Sequence, residues 1–247
     1  MNVNLLEVCV DSVESAVAAV KGGAERIELC SALSEGGLTP TLGFLKAVQK
    51  HTSNNVKVFC MVRPRGGPMV FSEDEAEIIL NDAAALRMAG ADGLVFGALN
   101  MDGNLDQNLN KQFIQAAGNL PCTFHRAFDL LQHPLRELES IIELGYQRIL
   151  TSGCKPTAVE GCDLLRQLTT AARGRIVILA GAGVKSSNVA ELIHKTGVTE
   201  CHASAKTRKV FECKNDKGVR MGANSDNVMW VTSEEEVRAI KAAMASS

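Results

Sequence analysis

The chain has 247 residues, of which 46% are hydrophobic and 22% are charged, a composition typical of a globular protein with one large core. Its formal net charge of −2 gives no electrostatic reason to expect nucleic acid or an anionic membrane as a partner. No apolar run approaches the roughly 20 residues that a membrane span requires. The first residues, MNVNLLEVCVDS, lack a basic leader, and Glu7 interrupts their apolar run. We therefore expect no signal peptide and a cytosolic location.

Eight cysteines are scattered along the whole chain. They form no CxxC pair and have no nearby C-x-x-H partner, so neither a disulfide framework nor a zinc finger fits the spacing. We interpret most of them as small buried apolar residues. The cysteines are Cys9, Cys30, Cys60, Cys122, Cys154, Cys162, Cys201 and Cys213.

A β-branched run followed by an amphipathic stretch rich in Ala, Leu and Glu recurs along the sequence. Predicted strands cover residues 5–10, 26–29, 56–62, 93–96, 122–125, 148–151, 175–180 and 200–203. Predicted helices cover residues 12–21, 42–50, 72–89, 107–117, 134–144, 157–172, 187–196 and 233–244. Ser72 with Glu75 is typical of a capping box, and Pro134 suits a first helical turn.

Eight strands alternating with eight helices in about 250 residues predict an α/β fold, a single-domain TIM (β/α)8 barrel over residues 1–247. A doubly wound open sheet is the rival, but it would place a glycine-rich turn after the first strand, where this chain has Val10-Asp11-Ser12. An inserted or lid-like segment at about 205–230 precedes the last helix. Because residues 207–230 are too many for a bare loop, we expect a hairpin turning near 215–218, a lid or a subunit contact.

Several predicted strands carry charged residues, although strands of a parallel barrel are covered on both faces and should be apolar. Alternation along the strands directs the charged members into the barrel. These members could form an ion-pair network that only fixes the strand register, or they could form a functional site. We favour the site, because most lie near the carboxyl ends of strands, where barrel active sites are built. The predicted catalytic residues are Glu7, Glu28, Arg63, His125, Asp129 and His202.

A second set of residues lies in the loops after the sixth, seventh and eighth strands, where barrels often bind phosphate through backbone N–H groups. An anion pocket there and a set of plain tight loops are equally consistent with the sequence. The candidate binding residues are Ser152, Gly181, Gly183 and Ser204. Arg63 could add a bidentate contact to a carboxylate or phosphate.

Eight motifs stand out along the chain: LEVCVDS (6–12), GGAERIELCS (22–31), SEGG (34–37), TP (39–40), RPRGG (63–67), GADGLVFG (90–97), TFHRAFD (123–129) and LTSG (150–153). Together they resemble the CutC proteins, a family named for copper homeostasis, and the animal members most closely. The resemblance extends from about residue 4 to residue 205 and weakens from 207 onward. At Ala180 and Ala182 the chain departs from the expected run of three glycines, which weakens the anion pocket.

This resemblance implies a TIM barrel, a homo-oligomer (a dimer or a tetramer), a cytoplasmic location that in animals is also nuclear, and copper handling with Cu(I) bound to each subunit. It implies no particular reaction, because no enzymatic activity is securely attached to the family.

Two functions from different classes remain open. In the first, Cys9 and Cys30 bind Cu(I), which prefers thiolate ligands. Each cysteine follows an inward carboxylate by two residues, in neighbouring strands about 4.8 Å apart. We therefore expect the two thiolates to bracket one ion, unless strand stagger offsets them.

In the second, the barrel is an enzyme of lyase, isomerase or hydrolase type that acts on a small anionic or phosphorylated metabolite. His125 or His202 would transfer protons, with Glu7 or Glu28 as the partner carboxylate. Arg63 would hold the anionic group of the substrate.

Overall fold

The computed structural model describes residues 4–52, 55–211 and 227–246. Within them, eight parallel strands follow one another around a closed barrel, and β8 pairs with β1 to complete it. The predicted TIM barrel is thereby confirmed. The strands are β1 (Leu5–Val10), β2 (Arg26–Leu29), β3 (Lys57–Met61), β4 (Gly93–Phe96), β5 (Cys122–Phe124), β6 (Arg148–Thr151), β7 (Val177–Ala180) and β8 (Glu200–Ala203).

Helices alternate with these strands and cover the outside of the barrel. Side chains at the start of five of them cap the first turn, as Ser12 does for Ser15 N–H, and the predicted capping box of Ser72 and Glu75 is present. The helices are α1 (Val13–Gly22), α2 (Leu42–Gln49), α3 (Glu73–Met88), α4 (Gln107–Ala117), α5 (Pro134–Leu144), α6 (Cys162–Ala172), α7 (Val189–Thr196) and α8 (Glu234–Ala245).

The apolar core lies mainly between the strands and the helices. In β1, Leu6, Val8 and Val10 are fully buried and belong to this layer. The inward residues between them are polar, because successive strand side chains point to opposite faces. A small separate apolar cluster inside the barrel includes Phe59 and Met61.

After β8 the chain forms a two-stranded antiparallel hairpin from β9 (Lys206–Val210) and β10 (Val228–Thr232). The hairpin is tied to α1, since Thr232 N–H donates to Ser15 Oγ at 3.1 Å. The predicted turn at 215–218 lies outside the described residues, and a lid or subunit-contact role for this segment stays a prediction. None of the helices in the described ranges combines the length and the hydropathy that crossing a bilayer requires.

Candidate functional site

Strand β1 lies between β2 and β8, and its register decides which inward side chains meet. Glu7 is opposite Arg26 on β2 and opposite His202 on β8. Two residues further along, Cys9 is opposite Glu28. Because all of these side chains point into the barrel, they converge on one region beneath the carboxyl ends of the three strands.

The deepest part of this region is an ion-pair network. Glu7 is fully buried and accepts a hydrogen bond from Arg26 Nε. The Arg26 guanidinium also donates to Glu200 Oε2 at 2.5 Å, and Arg148 Nε lies 3.3 Å from the same oxygen. Burial alone would raise the pKa of Glu7, but the charge of Arg26 and a hydrogen bond from His202 outweigh it and lower that pKa to about 2. Glu7 is therefore a carboxylate at neutral pH.

Directly above the network, Cys9, Glu28 and His202 bring their ligand atoms within 4.8 Å of one another. His202 Nδ1 lies 2.7 Å from Glu7 Oε1, and His202 Nε2 lies 3.9 Å from Glu28 Oε2. Burial lowers the pKa of His202, but the charges of Cys9 and Glu28 hold it well above its ordinary value. Among the described residues, Glu28 Oε1 is buried and has no hydrogen-bond partner. We call these three residues the Cys9 trio.

Cys30 differs from the expected arrangement. The stagger of parallel strands places Cys9 opposite Glu28, so that Cys30 is one pleat further along than a laterally paired thiol would be. Its Sγ lies 3.5 Å from Glu28 Oε2, and it packs beneath Gly37, where an added Cβ would come within 3.0 Å of the sulfur. Burial, with the charge of Glu28, raises the pKa of the Cys30 thiol well above its ordinary value. Its role as a metal ligand stays a prediction.

Arg63 is buried, as predicted, but its guanidinium donates hydrogen bonds to the backbone of two neighbouring loops. It donates to the carbonyl oxygens of Glu35 at 2.7 Å, Gly67 at 2.9 Å and Gly37 at 3.4 Å. Its Nε is buried without a partner. Since most of its donors already hold backbone carbonyls, the proposed contact of Arg63 with an anion stays a prediction.

His125 is buried against Gly97, on the far side of the barrel from β1. Its Nδ1 accepts the N–H of Ala127 at 3.2 Å, and its Nε2 has no hydrogen-bond partner. Burial, together with the charge of Arg63, lowers the pKa of His125 to about 3, so the ring is neutral at pH 7. No carboxylate in the described residues pairs with it, and a proton-transfer role for His125 stays a prediction.

Asp129 and Ser152 form a separate cluster above β5 and β6. Asp129 accepts hydrogen bonds from Thr151 Oγ1 at 2.5 Å, and from the backbone N–H groups of Ser152 and Cys154 at 3.1 Å. Ser152 Oγ also donates to Asp129 at 2.9 Å. A protein carboxylate thus occupies the N–H groups that an external anion would use. The catalytic role of Asp129 and the binding role of Ser152 stay predictions.

The other residues of the expected anion pocket lie in different surroundings. Gly181 packs so tightly that a Cβ there would come within 2.6 Å of Leu150 Cδ1. Gly183 has a φ of +72°, and its carbonyl accepts Asn188 Nδ2 at 2.9 Å. Ser204 instead lines a cavity of about 700 Å³ that also reaches Cys9 and the hairpin. Anion binding by these three residues stays a prediction.

Sequence reasoning does not select Arg148 and Glu200 for the site. The signal that could have found them is the alternation itself, which places Glu200 on the same face as His202 and Arg148 on the inward face of β6. The sequence does not show which residues they contact, because Arg26 on β2 reaches Glu200 on β8 across the strand between them, β1.

Comparison with known proteins gives consistent matches. A model of the CutC family matches residues 4–207. The "Copper homeostasis protein cutC homolog" of Homo sapiens is 45% identical over 242 residues, covering 96% of this chain and 88% of that protein. The homolog of Caenorhabditis elegans is 42% identical over 240 residues, covering 97% and 95%.

Solved structures show the same fold. A CutC structure from Streptococcus agalactiae has a TM-score of 0.78 and 30% identity, covering 81% of this chain and 98% of that one. A thiamine phosphate pyrophosphorylase from Pyrococcus furiosus has a TM-score of 0.63 at 18% identity, covering 99% and 97%, and shows the barrel fold alone.

Proposed function

The chain belongs to the CutC family of copper homeostasis proteins, and from this membership we propose that it binds Cu(I) at the Cys9 trio. The observation that carries the proposal is the convergence of a thiol, a carboxylate and an imidazole within 4.8 Å inside the barrel. Copper is the cargo in this proposal, and its handling inside the cell is the function that follows.

The chemistry of the donors supports this proposal. Cu(I) prefers sulfur, so the Cys9 thiol is the soft ligand of the trio, and metal binding displaces the thiol proton. Once metal binding displaces the proton of its ring, His202 can offer Nε2 while Glu7 holds Nδ1 at 2.7 Å, which is the usual way in which a carboxylate orients a metal-binding histidine. The free Oε1 of Glu28 is buried and lacks any other partner. Cys30 remains a candidate for an additional sulfur ligand.

A competition titration tests the proposal. We expect the protein to take Cu(I) from a colorimetric chelator under anaerobic, reducing conditions. Since changes to residues behind a metal ligand already cost about 10–100-fold in affinity, Cys9→Ser should cost at least about 100-fold. Cys162→Ser is the matched control, because this thiol lies on α6, outside the barrel. Unchanged affinity in a Cys9→Ser, Cys30→Ser double variant would contradict the proposal.

The oligomeric state and the cellular location that the family resemblance implies belong to the same proposal. We propose a homo-oligomer, a dimer or a tetramer, in the cytoplasm and also in the nucleus. Light scattering coupled to size-exclusion chromatography tests the assembly. Imaging of the tagged full chain tests the location.

A second candidate function is proton transfer on a small anionic metabolite. The observation that favours it is the position of His202, with one ring nitrogen held by Glu7 and the other 3.9 Å from Glu28. In a screen of small phosphorylated and carboxylated substrates, His202→Gln should abolish any turnover that is found. Equal turnover in His202→Gln and the wild type would exclude this candidate.

A further inference from the structure

The cavity of about 700 Å³ beside Cys9 is not explained by metal binding to the trio. Its lining includes Cys9 and Ser204 from the barrel, and Lys206, Arg208 and Trp230 from the hairpin. Metal ions bound at the trio would therefore be reached from a space large enough for a small organic molecule.

Among the described residues, two positive charges in this cavity have no acidic partner. Lys206 and Arg208 are both exposed, and they share one face of β9 because they are two residues apart. On the other face, Lys209 Nζ pairs with Glu14 at 2.6 Å. In the part of the chain that the structure describes, no carboxylate forms an ion pair with Lys206 or Arg208. The Lys206 ammonium lies 5.1 Å from the centre of the Trp230 ring.

Asp11 also lines the cavity. Its Oδ2 accepts the Leu33 N–H at 3.1 Å, which fixes the loop after β2. The described lining thus holds two cations and one carboxylate that is already engaged. This charge balance favours an anionic ligand.

The three ligands of the Cys9 trio do not by themselves select Cu(I) over other metal ions. One thiol, one imidazole and one carboxylate are also ligands that Zn²⁺ accepts, whereas additional sulfur favours Cu(I). The thiol of Cys30, which directly follows β2, donates to Glu28 and lies beneath Gly37. The side of Cys9 that faces the cavity is the open direction for a second sulfur atom.

Resting on the proposed function, we propose that the cavity binds a small thiol that carries carboxylate groups, and that this thiol supplies the second sulfur ligand to Cu(I) at Cys9. The carboxylates contact Lys206 and Arg208. The thiol proton passes to water as the Cu–S bond forms, and the copper remains Cu(I). The protein would accordingly exchange copper with an anionic thiol carrier.

Retention of two probe thiols during dialysis tests this inference. Protein loaded with Cu(I) is dialysed against mercaptosuccinate, which carries two carboxylates, or against uncharged thioglycerol. We expect about one mercaptosuccinate per copper, bound at least about tenfold more tightly than thioglycerol, since two exposed ion pairs together amount to about that factor. X-ray absorption at the copper edge should then count one more sulfur neighbour than in the thiol-free protein.

Variants that remove positive charge test whether the preference for mercaptosuccinate depends on this cavity. The Lys206→Gln, Arg208→Gln double variant should lose the preference for mercaptosuccinate while still binding Cu(I). The matched control, Lys46→Gln with Arg136→Gln, removes the same two charge types from the exposed surfaces of α2 and α5 and should keep it.

The possible outcomes separate this inference from the metal site itself. Equal retention of both thiols by protein that binds Cu(I) overturns the inference and leaves the proposed function intact. Retention of plain succinate as strongly as mercaptosuccinate also overturns it, because sulfur then has no role. Failure to bind Cu(I) with either thiol overturns both.

Discussion

Gly97 and His125 approach each other closely just beyond the ends of β4 and β5. A Cβ at position 97 would lie 2.8 Å from His125 Nδ1 and 3.1 Å from Phe124 Cζ. Gly97→Ala should therefore displace the His125 ring from its position against residue 97. We expect a loss of about 1–3 kcal/mol in the free energy of unfolding, measured by urea denaturation, as for other overpacked cores.

Gly43→Ala is the control for this substitution. Gly43 lies in the first turn of α2, and its added Cβ would meet only Thr41 Oγ1 at 4.0 Å. Alanine is the better helix former, so this variant should be at least as stable as the wild type. Equal stabilities for the Gly97 and Gly43 variants would show that the ring adjusts without cost.

The neutral state of His125 predicts a pH dependence of stability. Its pKa is lowered from 6.5 to about 3 in the folded chain. Between these two pH values the unfolded chain therefore binds a proton at His125, whereas the folded chain does not. The contribution of the neutral His125 ring to the free energy of unfolding is fully present above pH 6.5, and it is lost as the pH falls toward 3. Between pH 7 and pH 5 we expect His125 to contribute a loss of roughly 2 kcal/mol in the free energy of unfolding, seen as the difference in loss between the wild type and His125→Asn.

The His125→Asn variant should show a shallower fall over this range, since asparagine does not titrate there and can still accept the Ala127 N–H as a helix cap. His51→Asn, at an exposed histidine, should retain the wild-type slope. The prediction concerns the slope, so a lower overall stability of His125→Asn does not affect it. Parallel curves for the wild type and His125→Asn would contradict it.

At the scale of residues, the alternation of charged and apolar side chains was sufficient to predict that Glu7, Glu28, Arg63 and His125 are buried, as the structure has them. It was not sufficient to predict their partners. Which inward residues meet depends on the stagger between strands, and stagger arises only when the barrel closes.

At the scale of elements, helix α6 shows where sequence periodicity is insufficient. The pattern predicts a helix from residue 157, whereas α6 begins at Cys162 after Gly161. A Cβ at Gly161 would come within 1.9 Å of the Ser152 carbonyl oxygen, so the chain passes directly against the loop after β6. This close approach is a tertiary contact, and a local pattern does not contain it.

The same loop depends on Asp129, which follows β5 and is 7% exposed. Asp129→Asn replaces one of the two acceptor oxygens that bind Thr151, Ser152 and Cys154. We expect a loss of about 1–3 kcal/mol in the free energy of unfolding, because Ser152 Oγ and Arg126 Nε, which both donate to Oδ2, would then face an amide group that donates hydrogen bonds. Asp163→Asn, at a carboxylate that is 92% exposed, should change stability by less than about 0.5 kcal/mol. A similar small change in both variants would show that the loop does not need the second acceptor.

At the scale of the whole molecule, the polar interior links strands that are distant in sequence. Arg26 on β2 contacts Glu7 on β1 and Glu200 on β8, and Glu200 also contacts Arg148 on β6. The network therefore spans the point where the last strand returns to the first. Its position beneath the Cys9 trio also means that Glu7 both neutralises Arg26 and orients His202, so barrel closure and the candidate metal site depend on the same carboxylate.

Removal of Arg26 tests this dependence. Arg26→Leu leaves the fully buried Glu7 without its guanidinium partner, with His202 still beside it, and breaking a buried pair costs about 3–5 kcal/mol in the free energy of unfolding. Adding Glu7→Gln should restore part of this loss, because the unpaired charge is then gone. Arg238→Leu, which breaks an exposed pair with Glu234 on α8, should cost less than about 1 kcal/mol. Denaturant titration of the four proteins measures these differences, and a loss below about 1 kcal/mol in Arg26→Leu would show that water replaces the guanidinium and that barrel closure does not require the network.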